Sequence, residues 1–454
     1  MSTADFPDVR WRGRWVAPDV PEFVIDPTSV GSDLPPAEFS RAQFRRVFDI
    51  EDVPPRVPLR LSADSRYVLW VNGAEVGRGP IRSQPRRLRY DEHDIAPYLR
   101  PGRNVVAVLV TYYGHANSFW HPAASSGVMG RDAQLVLEAR VGQEWLVTDE
   151  RWRVLRSRAW RGLGAGQALE GVPIELLDAR ELDPFWMEPN FDDSSWVEAT
   201  VLKATHDGAL GESRPPVDPY GAILPRGIGM LGGSRVVAPS VIMQNAPAVA
   251  DLPDHPAERL VRQLQEAGDK RTVQLPLTVA RSQDVATLVT VNFGRIVAGH
   301  VELEVVAPPG VRLDLFYQES AEYDAVAGPV DSAPRSSASY TTRAFADHYK
   351  AVDINGLRQV FLMIPPGAGE VTVRDIAVSE YHYPFTGGAA FSSSDPELNR
   401  LYQAGIRTTE MNSFDAFTDC PTREQRAWVG DGVVHQMVHL VASEDWRLAR
   451  NYVT

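Results

Sequence analysis

The sequence predicts a mainly β protein in which two antiparallel, jelly-roll-like β-sandwich domains precede a short helical segment. Three observations support this prediction. Up to about residue 200, short runs of strand composition alternate with turn signals, and strands return between Thr272 and about Ser379. After Phe391 the period of the apolar residues changes from two to about 3.6. A block of strands followed by a block of helices indicates separate domains.

The first sandwich is predicted from three runs of residues. Residues 66–71 are β-branched and aromatic, and Asn72-Gly73 follows them directly. Asn-Gly is the strongest short hairpin signal, because both turn positions need a positive φ. Residues 104–113 and 133–141 also have strand composition, the second run with clear alternation. Turn-bounded strands with little helical periodicity favour an antiparallel sandwich.

The chain of 454 residues is too long for a single hydrophobic core. Changes in composition and periodicity along it predict four segments. We expect a first sandwich at 1–204, a Pro/Gly-rich connector with a short amphipathic helix at 205–271, a second sandwich at 272–390 and the start of a helical domain at 391–454. The connector helix is expected at 256–268. Strands of the second sandwich are expected at 287–293, 300–306, 311–318 and 371–381.

The helical segment opens with Asp395-Pro396, which predicts an N-cap followed by proline at the first helical position. Apolar and aromatic residues then share one face of the first helix: Leu398, Leu401, Tyr402 and Ile406. A second helix is predicted from the apolar residues Val433, Val434, Met437, Val438 and Val441. A third helix is expected to begin near Glu444.

Composition and charge restrict the class of protein. Hydrophobic residues make up 44% and charged residues 23%, the balance of a soluble globular protein. The formal net charge of −13 argues against binding to nucleic acid or to an anionic membrane. Cys420 is the only cysteine, so no intramolecular disulfide or cysteine-based metal site is expected. The N-terminus lacks a secretory pattern and no apolar run could span a bilayer, so we expect a cytoplasmic protein.

Two motifs point to cofactors but lack the necessary context. Residues 227–232 match GxGxxG, yet neither a strand before them nor a helix after them is predicted, so a flexible connector is the better interpretation. His435 and His439 have the spacing of the histidines in an HExxH zinc site. Gln436 replaces the catalytic glutamate, and no third ligand is evident. No metal and no cofactor are therefore expected.

The most informative stretch is 415–431, DAFTDCPTREQRAWVGD, which concentrates charged side chains between two apolar helices. A purely structural interpretation is available. Thr422 and Gln425 form a T-x-x-Q capping box with Glu424 in the first helical turn, Trp428 could anchor the core, and Asp431 could cap the next helix. The functional interpretation uses the same residues as a glycosidase site, which needs two carboxyl groups, partners for sugar hydroxyls and a flat apolar face.

The run DCPTREQRAWVGD resembles the signature at the start of the helical catalytic domain of bacterial α-L-rhamnosidases, glycoside hydrolase family 78. Residues 63–80 and 102–105 resemble the N-terminal sandwich of that family. Residues 292–299 (NFGRIVAG) and 316–319 (FYQE) resemble its second sandwich. The resemblance follows the domain order of the family over nearly the whole chain. It implies hydrolysis of terminal α-L-rhamnosides with inversion and without a cofactor.

The resemblance also implies roles for particular residues. Asp419 and Asp431 would hold rhamnose hydroxyls with Arg423 beside them, Glu424 would be the general acid, and Trp428 would line the sugar subsite. Some members place the acid one residue later, where this chain has Gln425. An amide cannot donate a proton as an acid does, and the spacing from Asp419 to Trp428 fits the shorter form of the motif, so Glu424 is favoured.

The helical fold implied by the resemblance is an (α/α)6 barrel, of which this chain would hold the first helices. The general base of the family comes from far along that barrel, so the chain by itself is expected to be an inactive fragment. The expected partners are rhamnose-containing glycosides or oligosaccharides. Two alternatives stay open: a carbohydrate-binding β-sandwich protein without catalysis, and a zinc hydrolase that uses His435 and His439.

Overall fold

The computed structural model describes residues 3–19, 38–123, 129–163, 174–206, 209–319, 336–343, 345–422 and 424–453. The chain divides into two compact units. The first comprises 1–158 and 182–226, and the second comprises 159–181 and 227–454. Among the described residues, no helix combines the length and the apolar character that a membrane span requires.

Strands make up most of the regular structure. Along the first part of the chain they are β1 (Val16–Ala17), β2 (Ser40–Ile50), β3 (Pro58–Asp64), β4 (Arg66–Val71), β5 (Ala74–Gly79), β6 (Arg89–Asp94), β7 (Gly102–Tyr112), β8 (Gln134–Val141), β9 (Glu144–Val147), β10 (Arg153–Arg156), β11 (Trp160–Leu163), β12 (Ile174–Asp178), β13 (Val197–Glu198), β14 (Thr200–Val201), β15 (Lys203–His206), β16 (Ala209–Glu212) and β17 (Leu224–Pro225).

The remaining strands and the helices follow. The strands are β18 (Arg235–Val237), β19 (Ser240–Pro247), β20 (Arg271–Val273), β21 (Leu277–Ala280), β22 (Val285–Ala307), β23 (Arg312–Gln318), β24 (Ser337–Thr341), β25 (Phe345–Lys350), β26 (Asn355–Ile364) and β27 (Glu370–Glu380). The helices are α1 (Pro256–Gln265), α2 (Pro396–Met411), α3 (Val429–Ala442) and α4 (Arg447–Tyr452).

The first unit is built on two sheets. One has the order β14-β1-β8-β3-β6-β17 with β9 paired to β8, and the other has the order β13-β10-β2-β7-β4-β5. Alternate side chains of strands from both sheets form one apolar cluster, with Phe44 and Val108 from the second sheet and Leu59 and Leu137 from the first. Burial of one face of each sheet is the arrangement that stabilises a sandwich.

The predicted hairpin of the first unit is confirmed. β4 and β5 pair antiparallel, and Asn72 and Gly73 between them have φ values of 51° and 83°. The Asn72 side chain also donates to Tyr98 O and to the Asn104 side chain, at 2.8 and 2.7 Å. Asn72 therefore serves both the tight turn and the packing of the neighbouring loop.

The second unit depends on the long strand β22. Its first half pairs with β19 and β26, and its second half pairs with β25 and β27. The register against β26 shifts between Asn292 and Val297, where Gly294 has a φ of 74°. The sequence predicts strands at 287–293 and 300–306, and this prediction is wrong in treating them as two separate strands. The irregular segment is a bulge inside one continuous strand, because pairing resumes beyond it.

β11 and β12 belong to the second unit, although the sequence places them within the first sandwich. β12 pairs parallel to β24 at the edge of the sheet that continues through β23 and β26. Propensity cannot distinguish which sheet a short strand joins, because that choice depends on long-range pairing. The division of the chain into four segments stays a prediction.

The helices lie in the second unit. α1 confirms the predicted connector helix and packs Leu260 against Leu288, Phe316 and Phe361 of the strands. α2 begins as predicted, since the Asp395 side chain accepts a hydrogen bond from Glu397 N at 2.8 Å. Many apolar side chains of α2 and α3 remain exposed, among them Leu398, Leu401, Val433, Val434, Met437 and Val441.

A buried carboxyl group lies at the end of β3 in the first unit. Asp64 is 1% exposed, and the hydroxyl of Tyr220 donates to its Oδ2. Burial raises the pKa of Asp64 to about 7, although the hydrogen bond from Tyr220 opposes the rise. The ionised form of this group therefore opposes folding near neutral pH.

We predict that Asp64→Asn removes a pH-dependent loss of stability. The folded-state pKa is raised, so the contribution of Asp64 is fully present below its ordinary pKa of 3.8 and is lost as the pH rises to about 7. Relative to the unmodified protein, Asp64→Asn should gain at least about 1.4 kcal/mol between about pH 4 and pH 8, the equivalent of one pKa unit. Urea unfolding measures the difference. The exposed control Asp52→Asn should show none, and a pH-independent difference for Asp64→Asn would contradict the assignment.

Candidate active site

The charged stretch identified in the sequence forms an irregular loop between α2 and α3. Residues 421–428 are not helical in the described part of the loop, and α3 begins only at Val429. Gln425 has a φ of 53°, which a helix start does not allow. The predicted capping box of Thr422 and Gln425 is therefore wrong. Both side chains bind instead to residues at the strand ends of the second unit, so tertiary contacts override the local helix signal.

Thr422 and Gln425 anchor the loop to strand ends of the second unit. The Thr422 hydroxyl contacts the Glu319 carboxylate and lies 2.9 Å from Gly356 O. Gln425 Nε2 donates to Ile354 O at 3.0 Å and to Pro421 O at 2.8 Å. The loop thus gains its conformation from hydrogen bonds to the start of β26 and the end of β23. Glu319 is the last residue of the FYQE motif, so this contact gives that glutamate a structural role.

Gly356 allows the loop to approach β26. A Cβ at this position would lie 2.4 Å from Pro421 Cβ and 2.7 Å from the carbonyl carbon of Pro421. Neither neighbour is a flexible side-chain end. Any larger residue at position 356 therefore requires the loop to move.

Asp419 is hydrogen-bonded to Arg426 across the loop. Its backbone N–H donates to Arg426 O at 3.0 Å, and its Oδ1 accepts from Arg426 N at 2.9 Å. The thiol of Cys420 lies 3.3 Å from Asp419 Oδ2 and 3.3 Å from Glu424 N. One oxygen of Asp419 therefore holds the loop together, while Oδ2 lies on the side of Cys420.

Glu424 and Trp428 are in direct contact. The indole N–H of Trp428 donates to Glu424 Oε2 at 2.8 Å, and the Glu424 side chain is half-buried. Trp428 is 43% exposed, so its interpretation as a core anchor is wrong. Its backbone carbonyl accepts a hydrogen bond from the Tyr452 hydroxyl at 2.7 Å. The backbone of Trp428 is therefore held in place, while its side chain stays partly exposed.

Asp431 lies in the first turn of α3, where a carboxylate suits the helix dipole. It is not the N-cap of α3, because Trp428 occupies that position without a side-chain cap. Burial lowers the pKa of His435, one turn further along, while the charges of Asp431 and Asp419 act to raise it. Asp419, Asp431 and His435 therefore share one electrostatic environment, a role for His435 that sequence reasoning missed.

His439 is engaged in packing. Its Nε2 lies 2.9 Å from Asp445 O, and its ring packs against Phe385 and Phe417 with centroid distances of 4.7 and 5.4 Å. Within the described ranges, no group of three or more His, Cys, Asp or Glu side chains is placed to hold a metal ion. The fifth predicted site residue, Arg423, lies outside the described residues.

We predict that Gly356→Ala loosens the loop. The new Cβ would collide with Pro421, so we expect a loss of about 1–3 kcal/mol of stability and faster tryptic cleavage after Arg426. The control is Gly405→Ala in α2, where a Cβ meets nothing within 4 Å and helix propensity favours alanine by up to about 1 kcal/mol. Unchanged melting and proteolysis of Gly356→Ala would contradict the proposed anchoring.

Two family models match the chain. The α-L-rhamnosidase N-terminal domain matches residues 54–219. The bacterial α-L-rhamnosidase 6 hairpin glycosidase domain matches residues 387–454, which include α2, the charged loop and α3. The loop thus lies in a domain of the glycoside hydrolase class, and the expected first helices fall in the segment that this second model covers.

Individual relatives agree with the family models. An α-L-rhamnosidase of Formosa agariphila is 21% identical over 448 residues, which are 93% of this chain and 40% of the relative. The structure of a GH78 family rhamnosidase from Bacillus sp. GL1 is similar with a TM-score of 0.78 at 19% identity, covering 98% of this chain and 63% of that one. The Streptomyces avermitilis α-L-rhamnosidase complexed with L-rhamnose has a TM-score of 0.63 at 19% identity, with 91% and 36% covered.

The chain belongs to the bacterial α-L-rhamnosidases of glycoside hydrolase family 78. It spans 40% of the length of the Formosa relative and 63% of the Bacillus structure. The mainly β fold of the described residues matches the structures of the family.

Proposed function

We propose that this chain forms part of an enzyme that hydrolyses terminal α-L-rhamnosides, with Glu424 as the general acid. The observation that carries the proposal is the contact between Glu424 and Trp428 in a loop that the second sandwich anchors. A general acid must be held at a defined position beside the leaving oxygen. The indole N–H of Trp428 supplies that restraint at 2.8 Å. The rhamnose bound in the Streptomyces relative supports this class of substrate.

The neighbouring side chains suit recognition of the sugar. The exposed ring of Trp428 offers an apolar face for the C–H groups of a pyranose, next to the carboxyl group of Glu424. Asp419 and Asp431 would accept hydrogen bonds from rhamnose hydroxyls, in keeping with their common influence on His435. The role of Arg423 beside them rests on the family signature alone.

Inversion requires a second carboxyl group that activates water on the opposite side of the sugar. Roughly 6.5–9.5 Å separates the two carboxyl groups in inverting glycosidases. We assign the role of base to no residue of this chain, since the family signature supplies only the acid here. We therefore propose that hydrolysis needs barrel residues in addition to these 454. No cofactor takes part in this mechanism.

We predict that Trp428→Ala and Asp431→Asn weaken the binding of L-rhamnose while the melting temperature changes little. Trp428 is 43% exposed, so its truncation should cost less than the ~3–5 kcal/mol of removing a fully buried tryptophan. Calorimetric titration and thermal unfolding measure the two effects. Trp446→Ala is the matched control, because Trp446 is also exposed, at 57%, and lies outside the loop. A folded Trp428→Ala protein with undiminished affinity would exclude Trp428 from the subsite.

We predict that Glu424→Gln reduces hydrolysis of unactivated rhamnosides by at least ~10²-fold, the usual scale for loss of a general acid. The assay uses a protein that joins this chain to the rest of a six-hairpin domain. Nitrophenyl rhamnoside should lose less activity, because its leaving group needs less protonation. The exposed control Glu444→Gln should retain full activity. Equal, small losses on both substrates would assign the acid to another residue, and turnover by the 454-residue chain alone would place a base within it.

A further inference from the structure

The sequence singles out a histidine pair in α3 with Gln436 between its members, and the proposed mechanism uses neither Gln436 nor His439. In the structure both side chains contact α4 or the turn that precedes it. Gln436 Nε2 donates to Ala449 O at 3.2 Å, and His439 Nε2 lies 2.9 Å from Asp445 O. These two contacts fix the position of α4 relative to α3.

Gly432 provides the space that α4 needs beside α3. A Cβ at this position would collide with the phenol ring and the hydroxyl group of Tyr452, the last residue of α4. Glycine inside a helix is less favourable than alanine, and the close approach of Tyr452 explains its presence here. The Tyr452 ring also packs edge-on against the buried ring of Phe417, at a centroid distance of 5.4 Å. Tyr452 therefore contacts both α3 and the charged loop.

The hydroxyl group of Tyr452 is directed at the point where the loop passes into α3. It donates a hydrogen bond to the backbone carbonyl of Trp428 at 2.7 Å. The same carbonyl accepts from Gly432 N at 2.9 Å, as the carbonyl of an N-cap residue does. Trp428 is the N-cap of α3, and its own side chain makes no capping bond. Two hydrogen bonds therefore restrain the backbone of Trp428.

The position of Trp428 matters for Glu424, because their side chains are in direct contact. The indole N–H of Trp428 donates to Glu424 Oε2 at 2.8 Å, while Trp428 is 43% exposed. A partly exposed ring gains less restraint from packing than a buried one, so its position depends on the backbone that carries it. A misplacement of about 1 Å can reduce a rate about a hundredfold, even when the altered residue lies away from the reacting atoms.

We propose that Tyr452 is a positioning residue for the pair formed by Glu424 and Trp428. The hydroxyl group of Tyr452 restrains the N-cap carbonyl, the N-cap carries the indole ring, and the indole N–H holds the carboxyl group. Tyr452 acts through Trp428 and not on the substrate. The inference rests on the proposed function in so far as Glu424 is the general acid, whereas the position of Trp428 can be measured without hydrolysis.

Fluorine NMR of the 454-residue chain labelled with fluorotryptophan tests the position of Trp428. Trp428→Phe assigns the resonance of this residue among those of the 11 tryptophans. Tyr452→Phe removes only the hydroxyl group, and we expect it to shift the Trp428 resonance. Gly432→Ala should shift the same resonance, because the new Cβ displaces the Tyr452 ring.

Two matched controls should leave the Trp428 resonance where it is. Tyr402→Phe also removes a hydroxyl group that donates to a backbone carbonyl, that of Ala389 at 2.8 Å. Gly405→Ala also adds a methyl group to a helix, at a position where a Cβ meets nothing within 4 Å. Circular dichroism establishes that each variant is folded.

Kinetics of the protein that joins this chain to the rest of a six-hairpin domain test the consequence for catalysis. Tyr452→Phe should lower kcat on unactivated rhamnosides about three- to tenfold, the effect of one neutral hydrogen bond, and change KM less than about twofold. Nitrophenyl rhamnoside should lose less, because its leaving group needs less protonation. A residue that only stabilised the fold would affect both substrates equally.

An unmoved Trp428 resonance in folded Tyr452→Phe would overturn the inference, and so would an equal shift in the two controls. Equal kinetic losses on both substrates would also overturn it. If Tyr452→Phe does not fold, Gly432→Ala provides the same test. If Glu424→Gln retains full activity, the proposed general acid is wrong, and the resonance still decides whether Tyr452 positions Trp428.

Discussion

The described residues of the charged loop between α2 and α3 form no helix or sheet strand, so contacts with strands of the second unit decide where Glu424 and Trp428 lie. Gln425, in a left-handed backbone conformation, donates hydrogen bonds to the backbone carbonyls of Ile354 and Pro421. The Thr422 hydroxyl donates a hydrogen bond to Gly356 O. The missing side chain of Gly356 lets these bonds form. Once both ends of the loop are held, Glu424 and Trp428 can meet. The geometry of the candidate site thus rests on a close approach between a loop and a strand.

The strand system beneath the loop meets a similar constraint. β22 pairs with β19 and β26 along its first half and with β25 and β27 along its second half, and its register against β26 changes at the bulge around Gly294. Further along, a Cβ on Gly299 would lie 2.0 Å from Ser379 O, so only glycine lets β27 pair there. The NFGRIVAG run is therefore explained by the sheet that supports the loop. Sequence signatures outside a site can reflect the construction of its support.

The titratable groups of the two units lie in different electrostatic environments. In the helical part of the second unit, burial lowers the pKa of His435, while the negative charges of Asp431 and Asp419 act to raise it. In the first unit, burial raises the pKa of Asp64 to about 7 and so favours its neutral form. A single net charge for the chain describes neither environment. Local charge, together with burial, decides which protonation state each of these groups adopts.

The sequence by itself determined the mainly β class, the Asn72-Gly73 hairpin, the connector helix and the N-cap of α2, because each depends on local turn, capping and periodicity rules. It also identified the stretch that holds the candidate site. It could not show that β12 pairs with β24 of the second unit, that β22 is continuous, or that Thr422 and Gln425 lie outside α3. The tertiary structure decided these features, since each depends on partners far away in the chain. Local secondary-structure propensity is overridden wherever long-range hydrogen bonds and close packing stabilise a different structure more strongly.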